Sequence, residues 1–172
     1  MKIVIMGYSG CGKSTLARKL SQLHGLSLLH LDSVHFQAGW VEKETALEHA
    51  EVEAFLDSHE SWVIDGNYSK LSLQRRLEEA DQIISLELNR WVCLWRILKR
   101  WKRYRGHSRP DLAEGCPEKV DWEFVRWVLK DGRSPRHLAA FEHRVQLYGD
   151  KMIRIQSVKE QKEYLQSLEG QK

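Results

Sequence analysis

The chain has 172 residues, 42% of them hydrophobic and 30% charged, with a net charge of +3. That length buries one good core and suits a single domain spanning 1–172, and the balance of apolar and charged residues excludes a disordered or fibrous protein. Three cysteines, Cys11, Cys93 and Cys116, with no CxxC pair, argue against a disulfide framework and a cysteine zinc site.

Along the chain, Lys2 to Met6 is a β-branched apolar run ending at Gly7, the pattern of a buried parallel strand feeding a glycine turn. A helix is predicted over Lys13–His24, with Leu16, Leu20 and Leu23 on one face. A short strand, Leu26 to Leu31, leads to Asp32; a helix follows over Lys43–Ser58; a third strand, Ser61 to Ile64, runs into Asp65-Gly66. Gln82–Leu88 and Met152–Ile155 complete five strands, with helices near Asp121–Lys130 and Pro135–Tyr148 and a loop or lid across Gly106–Pro117. Alternating strands and helices predict a three-layer α/β domain with a parallel sheet. No segment has the length of a signal-peptide core or a membrane span, so a cytoplasmic protein without a membrane partner is expected.

Gly7-Tyr8-Ser9-Gly10-Cys11-Gly12-Lys13-Ser14 matches GxxxxGK[ST] in full and lies between an apolar strand and an amphipathic helix, where such a loop must lie. Its glycines let successive backbone N–H groups aim at a phosphate, and the helix N-terminus adds its positive dipole end. The segment Gly7 to Thr15 is therefore the expected ATP site. Lys13 would bridge the β- and γ-phosphates and the Ser14 hydroxyl would ligate Mg²⁺. Cys11 is read as a small loop side chain rather than a redox sensor.

Asp65 and Asp32 end strands on the edge where open α/β sheets bind ligands. Asp65 is placed to hold Mg²⁺ through water, and Asp32 to accept the proton of an acceptor hydroxyl or to orient that acceptor; the plainer reading of either is a cap or turn aspartate. His30 and His35 flank Asp32 and read as structural histidines that could touch substrate, while His35, Phe36, Trp40, Tyr68 and Arg75 would shape the acceptor pocket.

From Arg90 to Arg109 basic and aromatic residues interleave. On a helix Trp91, Leu94, Trp95 and Leu98 share one face, which predicts core packing, while Arg96, Lys99, Arg100 and Arg103 share another. That basic face suits a solvated surface, a nucleic-acid patch or a clamp on a transferring phosphoryl group; beside a phosphate loop the clamp is favoured.

The loop motif, His30-Leu31-Asp32, Gly39-Trp40, Trp62 to Tyr68, Arg109-Pro110-Asp111 and Glu114 to Lys119 together resemble the DNA topology modulation proteins (FlaR-related), a branch of the adenylate-kinase-like P-loop kinases. The resemblance implies a P-loop NTPase fold of nucleotide-kinase type, with a five-stranded parallel sheet in the order 2-3-1-4-5 and a small helical lid around 104–135. It also implies Asp65-Gly66 as the Mg²⁺-water aspartate, Arg96 and Arg100 in contact with ATP, Arg133 and Arg144 as a lid-side pair, and adenine packing at the Ser157-Val158-Lys159 turn. Asn67-Tyr68 and Ser134-Pro135 depart from the adenylate kinase pattern, which speaks against AMP as acceptor. The expected activity is transfer of the γ-phosphate of ATP to a nucleoside, nucleotide or metabolite, by a monomer or homodimer. An ATP-switched nucleic-acid-binding regulator is the alternative, and without an NKxD-like segment a GTPase is disfavoured.

Overall fold

Ile3, Val4, Ile5 and Met6 are at most 1% exposed and occupy the centre of the sheet. Because successive strand residues face opposite ways, Ile3 and Ile5 enter one core cluster while Val4 and Met6 enter the other. In this computed structural model, which describes residues 1–109 and 111–170, Pro110 of the Arg109-Pro110-Asp111 motif lies outside the described residues.

The elements in chain order are β1 (Lys2–Gly7), α1 (Lys13–His24), β2 (Ser27–His30), α2 (Leu31–His35), β3 (Phe36–Gln37), β4 (Val41–Glu42), α3 (Thr45–Ser58), β5 (Trp62–Asp65) and α4 (Leu73–Glu79). They continue with β6 (Gln82–Leu86), α5 (Arg90–Tyr104), α6 (Trp122–Leu129), α7 (Pro135–Tyr148), β7 (Met152–Ile155) and α8 (Val158–Glu169). Five strands form a parallel sheet in the order β2-β5-β1-β6-β7. This numbering departs from 2-3-1-4-5 because a two-stranded antiparallel ribbon, β3-β4, which the sequence did not announce, follows the second strand. Parallel strands need crossovers, and those crossovers cover both faces: α1, α5, α6 and α8 contribute to the cluster around Ile3 and Ile5, and α2, α3, α4 and α7 to the cluster around Val4 and Met6.

Two local expectations are corrected. Asp32 does not end a strand but sits in the first turn of α2, so the chain turns helical immediately after His30. The Ser157-Val158-Lys159 turn is the start of α8, with the N-cap Ser157 hydroxyl accepting from Glu160 N at 3.1 Å and the Glu160 carboxylate reaching back to accept from Gln156 N, the residue before the cap, at 2.8 Å.

The larger correction concerns α5. Trp91, Trp95 and Leu98 are 65%, 61% and 45% exposed, and the face that packs inward is Cys93 and Ile97, one turn apart. The phosphate loop decides this. A Cβ on Gly10 would lie 2.6 Å from the Cys93 carbonyl oxygen and 2.8 Å from the Ile97 side chain, so the loop needs the slim flank of the helix against it. Large tryptophans there would displace the loop, and they are turned to solvent instead.

Ile97→Ala should therefore cost about 2–5 kcal/mol of unfolding free energy, while Trp95→Ala should change it by no more than about 0.5 kcal/mol, measured by urea denaturation. Equal destabilisation by both would contradict the packing of α5.

Candidate active site

The phosphate loop is built by its backbone. Gly7 has φ +134°, and a Cβ there would sit 2.1 Å from the Leu86 carbonyl oxygen, so at the end of the β1–β6 pairing only glycine lets the chain turn away into the loop. Gly12 caps α1 in a left-handed conformation at φ 98°, which turns the loop into the helix. Asn67, just past β5, clamps the loop's start: its Oδ1 accepts from Gly7 N at 3.0 Å and its Nδ2 donates to Gly7 O at 2.7 Å. Lys13 Nζ donates to the carbonyl oxygens of Gly7 and Tyr8 at 3.1 and 3.2 Å, folding over the loop it belongs to.

At the loop's foot, Ser14 Oγ donates to Asp65 Oδ2 at 2.9 Å, and the other oxygen of Asp65 meets His30 Nδ1. The parallel register His30↔Asp65 on β2 and β5 sets that second contact. Ser14 and Asp65 thus stand together, as the sequence implied, and His30 joins them. A hydroxyl and a carboxylate are hard oxygen donors that suit Mg²⁺, which keeps most of its shell for phosphate and water. Among the described residues no cluster of three or more His, Cys, Asp or Glu could hold a metal on its own.

Past His30, in and after α2, lies an aromatic cluster. Tyr68 Oη donates to Asp32 Oδ1 at 2.8 Å, and burial, reinforced by the Asp32 charge, keeps the phenol protonated well above its ordinary range. His35 packs against Tyr68 and Phe36 with ring centres 4.7 and 4.5 Å apart, and Phe36 against Trp40 at 5.1 Å. His35 Nδ1 is bound to the buried Glu48 at 2.7 Å, so this nitrogen is engaged within the protein. Asp32, His35, Trp40 and Tyr68 are therefore brought together. Arg75 is not with them: it forms ion pairs with Glu53, Asp57 and Glu79 on the outer side of α4.

The arginines divide. Arg96 Nη1 donates to the Cys11 carbonyl at 3.0 Å and to Gln161 Oε1 at 2.9 Å, which fixes it against the phosphate loop. Arg133 lies over the Tyr8 ring, 3.6 Å from its centre, and donates to Leu88 O at 2.8 Å. Arg100 is further out, held by Glu118 at 2.8 Å, and burial lowers its pKa. Arg144 sits half-buried on α7, on the face whose Phe141 and Tyr148 pack against the Val4–Met6 cluster, and is not in the group around Tyr8 and Cys11.

Sequence reading missed a buried charge network. Arg109 pairs with Asp111 at 2.7 Å and Glu118 at 2.5 Å, and Asp111 reaches Arg18 of α1 at 3.4 Å. Burial works against the charged form of Asp111, but Arg109 and Arg18 more than offset it and hold its pKa below the usual carboxylate value. The alternation of Arg109, Asp111 and Glu118 in a segment otherwise lacking secondary-structure pattern was the available signal. The same segment grips the β3-β4 ribbon, with Gly39 N donating to Gly115 O at 2.7 Å and Trp40 Nε1 to Pro117 O at 2.9 Å.

Comparison with known proteins places these residues in a family. The AAA domain family matches residues 3–114. A shikimate kinase of Rhodococcus jostii (strain RHA1) is 31% identical over 159 residues, covering 78% of this chain and 90% of that one. Among solved structures, a shikimate kinase from Bacteroides thetaiotaomicron superposes with a TM-score of 0.48 at 18% identity, over 90% of this chain and 86% of that one. A gluconokinase from Sinorhizobium meliloti 1021 does so with a TM-score of 0.47 at 18% identity, over 90% and 81%.

Cys11 is fully buried in the loop, its Sγ donating to Tyr8 O at 2.6 Å, and burial pushes the thiol up to about 11. At physiological pH it is an unreactive thiol. Brief iodoacetamide treatment of the native protein at pH 8 should leave Cys11 unmodified by mass spectrometry, and rapid labelling at that position would show the thiol to be accessible and ionised.

Proposed function

This chain belongs to the P-loop family described by the AAA domain and is a kinase-like homologue of shikimate kinase, and we propose that it transfers the γ-phosphate of ATP to a small hydroxyl-bearing acceptor. The observation that carries the reading is the contact of Ser14, the residue after Lys13 at the start of α1, with the buried Asp65. Hydroxyl, carboxylate and ammonium there are the groups that hold a metal–triphosphate, and Asp32 is the base.

In this reading the loop N–H groups and Lys13 bind the phosphates, Lys13 exchanging the carbonyls of Gly7 and Tyr8 for phosphate oxygens. Ser14 and Asp65 would hold Mg²⁺, which would neutralise charge on the phosphates. Arg96 and Arg133, both already anchored at the loop, steady the donor; Val158 and Arg96, with Trp91, Val92 and Trp95, line a groove beside the loop that suits the base. Asp32, relieved of the Tyr68 hydroxyl, receives the proton of the acceptor hydroxyl as its oxygen bonds to phosphorus and ADP departs. The segment from about 104 to 135 acts as a lid, docked on the ribbon by Gly115 and Pro117, and excludes water from the pocket. Arg100 belongs to this lid's support through Glu118 and reaches phosphate only if that pair opens.

A second reading has an observation of its own. The likeness to DNA topology modulation proteins goes with a helix whose Lys99, Lys102 and Arg103 have no carboxylate partner among the described residues and flank the exposed Trp91 and Trp95. Stacking aromatics beside free cations suit single-stranded nucleic acid, with ATP as a switch.

Incubating the protein with ATP and Mg²⁺ and a panel of nucleosides, nucleotides and small hydroxylated metabolites should give transfer to one acceptor. Lys13→Ala should reduce that transfer by about 10²-fold or more, the scale on which a charge-stabilising group acts. Tight ATP binding with no transfer to any member of the panel would oppose the kinase reading. For the second reading, affinity for an oligonucleotide should fall steeply between low and moderate salt and drop in Trp95→Ala; no binding at low ionic strength would dispose of it.

A further inference from the structure

Five charged side chains from α1, α5 and the segment after α5 form one continuous row. Arg100 of α5 pairs with Glu118 at 2.8 Å, Glu118 with Arg109 at 2.5 Å, Arg109 with Asp111 at 2.7 Å, and Asp111 with Arg18 of α1 at 3.4 Å. Helical spacing sets both ends of the row. Arg100 lies one turn beyond Arg96, which donates to the Cys11 carbonyl of the phosphate loop, and Arg18 lies one turn beyond Ser14, which donates to Asp65. The row therefore bridges the two helices that meet the loop, one turn away from the groups that touch it.

The members of the row are not equivalent. Arg109, Asp111 and Glu118 are buried, and each keeps a close partner of opposite charge. Arg18 stands apart: its side chain is 36% exposed, and the longer contact to Asp111 is its only hydrogen bond or ion pair among the described residues. Three guanidinium groups share two carboxylates, so one positive charge is left over, and the loosest holder of it is Arg18. Helical side chains lean toward the N-terminus, so an arginine at this position reaches back along α1 toward Ser14. Asp111 meets it there. Burial opposes the charge of Asp111, yet Arg109 and Arg18, followed by His30 and the Ser14 hydroxyl, hold its pKa below the usual carboxylate value. A carboxylate thus stands beside the Ser14 hydroxyl, where the kinase reading puts the outer phosphates of ATP.

We propose that Arg18 is a phosphate-binding group of the donor site, which passes from the Asp111 carboxylate to the terminal phosphate of ATP as the nucleotide arrives. Asp111 is then an internal anion that keeps Arg18 aimed at Ser14 and competes with phosphate for the same guanidinium. Arg109 retains Glu118 throughout, so the exchange at Arg18 leaves no buried cation unpaired. The proposal rests on the kinase reading for the identity of the donor phosphate.

The test is calorimetry on the full chain with Mg²⁺, comparing ADP with the non-hydrolysable β,γ-imido analogue of ATP. Arg18→Gln should weaken the analogue about tenfold, the scale of one charge-assisted hydrogen bond, and leave ADP within about twofold. Asp111→Asn keeps the shape of the side chain and removes the competing charge, so it should tighten the analogue several-fold. That gain should vanish when Arg18→Gln is combined with it, because the two residues then have nothing to exchange. A purely structural row would show the opposite sign in Asp111→Asn, since loosening the segment weakens the complex. Unchanged analogue affinity in Arg18→Gln, an equal loss for ADP and the analogue, or weaker analogue binding in Asp111→Asn would overturn the assignment. An acceptor panel that fails while these affinity shifts hold would remove the kinase reading and leave Arg18 as a ligand of the nucleotide.

Discussion

Asp65 is a carboxylate with 5% exposure at the end of β5, gripped by the Ser14 hydroxyl on one oxygen and by His30 on the other. Its position follows from the register of three parallel strands: β5 lies between β2 and β1, so one residue at its end reaches both the strand that leads to the aromatic cluster around Tyr68 and the helix that leaves the phosphate loop. The next residues extend the same function. Gly66 N donates to Ile5 O, and Asn67 holds both backbone groups of Gly7, so the segment after β5 fixes the loop before any nucleotide arrives. Preorganisation of this kind lowers the ordering cost of binding an anion at the loop.

Charge is distributed with the same logic. Where arginines serve the architecture they are paired or hydrogen-bonded, as Arg109 with Asp111 and Glu118, Arg100 with Glu118, and Arg75 with three carboxylates. At the phosphate loop arginines are held without carboxylates: Arg96 rests on the Cys11 carbonyl and Gln161, and Arg133 on the Leu88 carbonyl and the Tyr8 ring. Carbonyls and rings hold a guanidinium in place without neutralising it, which leaves its field available to an anion. His30 and His35, by contrast, each have a ring nitrogen committed to a buried carboxylate.

Much of this was legible in the sequence because it is local. The phosphate loop, α1 over Lys13–His24 and α7 over Pro135–Tyr148 follow from glycine spacing, helical periodicity and a proline at the first helical turn. The five parallel strands follow from short apolar runs. What escaped depends on contacts distant in the chain. The ribbon β3-β4 is only two residues per strand and is held by the 115–117 turn, which no pattern within 36–42 reveals. The tryptophans of α5 were assigned to the core because they share a helical face, yet the neighbouring Cys93–Ile97 flank is the one narrow enough for Gly10. Periodicity identifies that a helix has faces; the partner decides which face is buried. Arg75 and Arg76 are neighbours in the chain, and only packing separates the surface ion-pair residue from the buried cation.

The dependence of the donor site on Asp65 is most directly measured by nucleotide affinity with and without Mg²⁺ in the native protein and in Asp65→Asn. Asparagine preserves the shape of the side chain and removes the charge. Native protein should bind ATP more tightly with Mg²⁺ than without it, and Asp65→Asn should lose most of that difference while keeping its metal-free affinity, because the loop N–H groups and Lys13 are intact. An undiminished Mg²⁺ effect in Asp65→Asn would contradict the role of this carboxylate and, with it, the site assembled around Ser14 and His30.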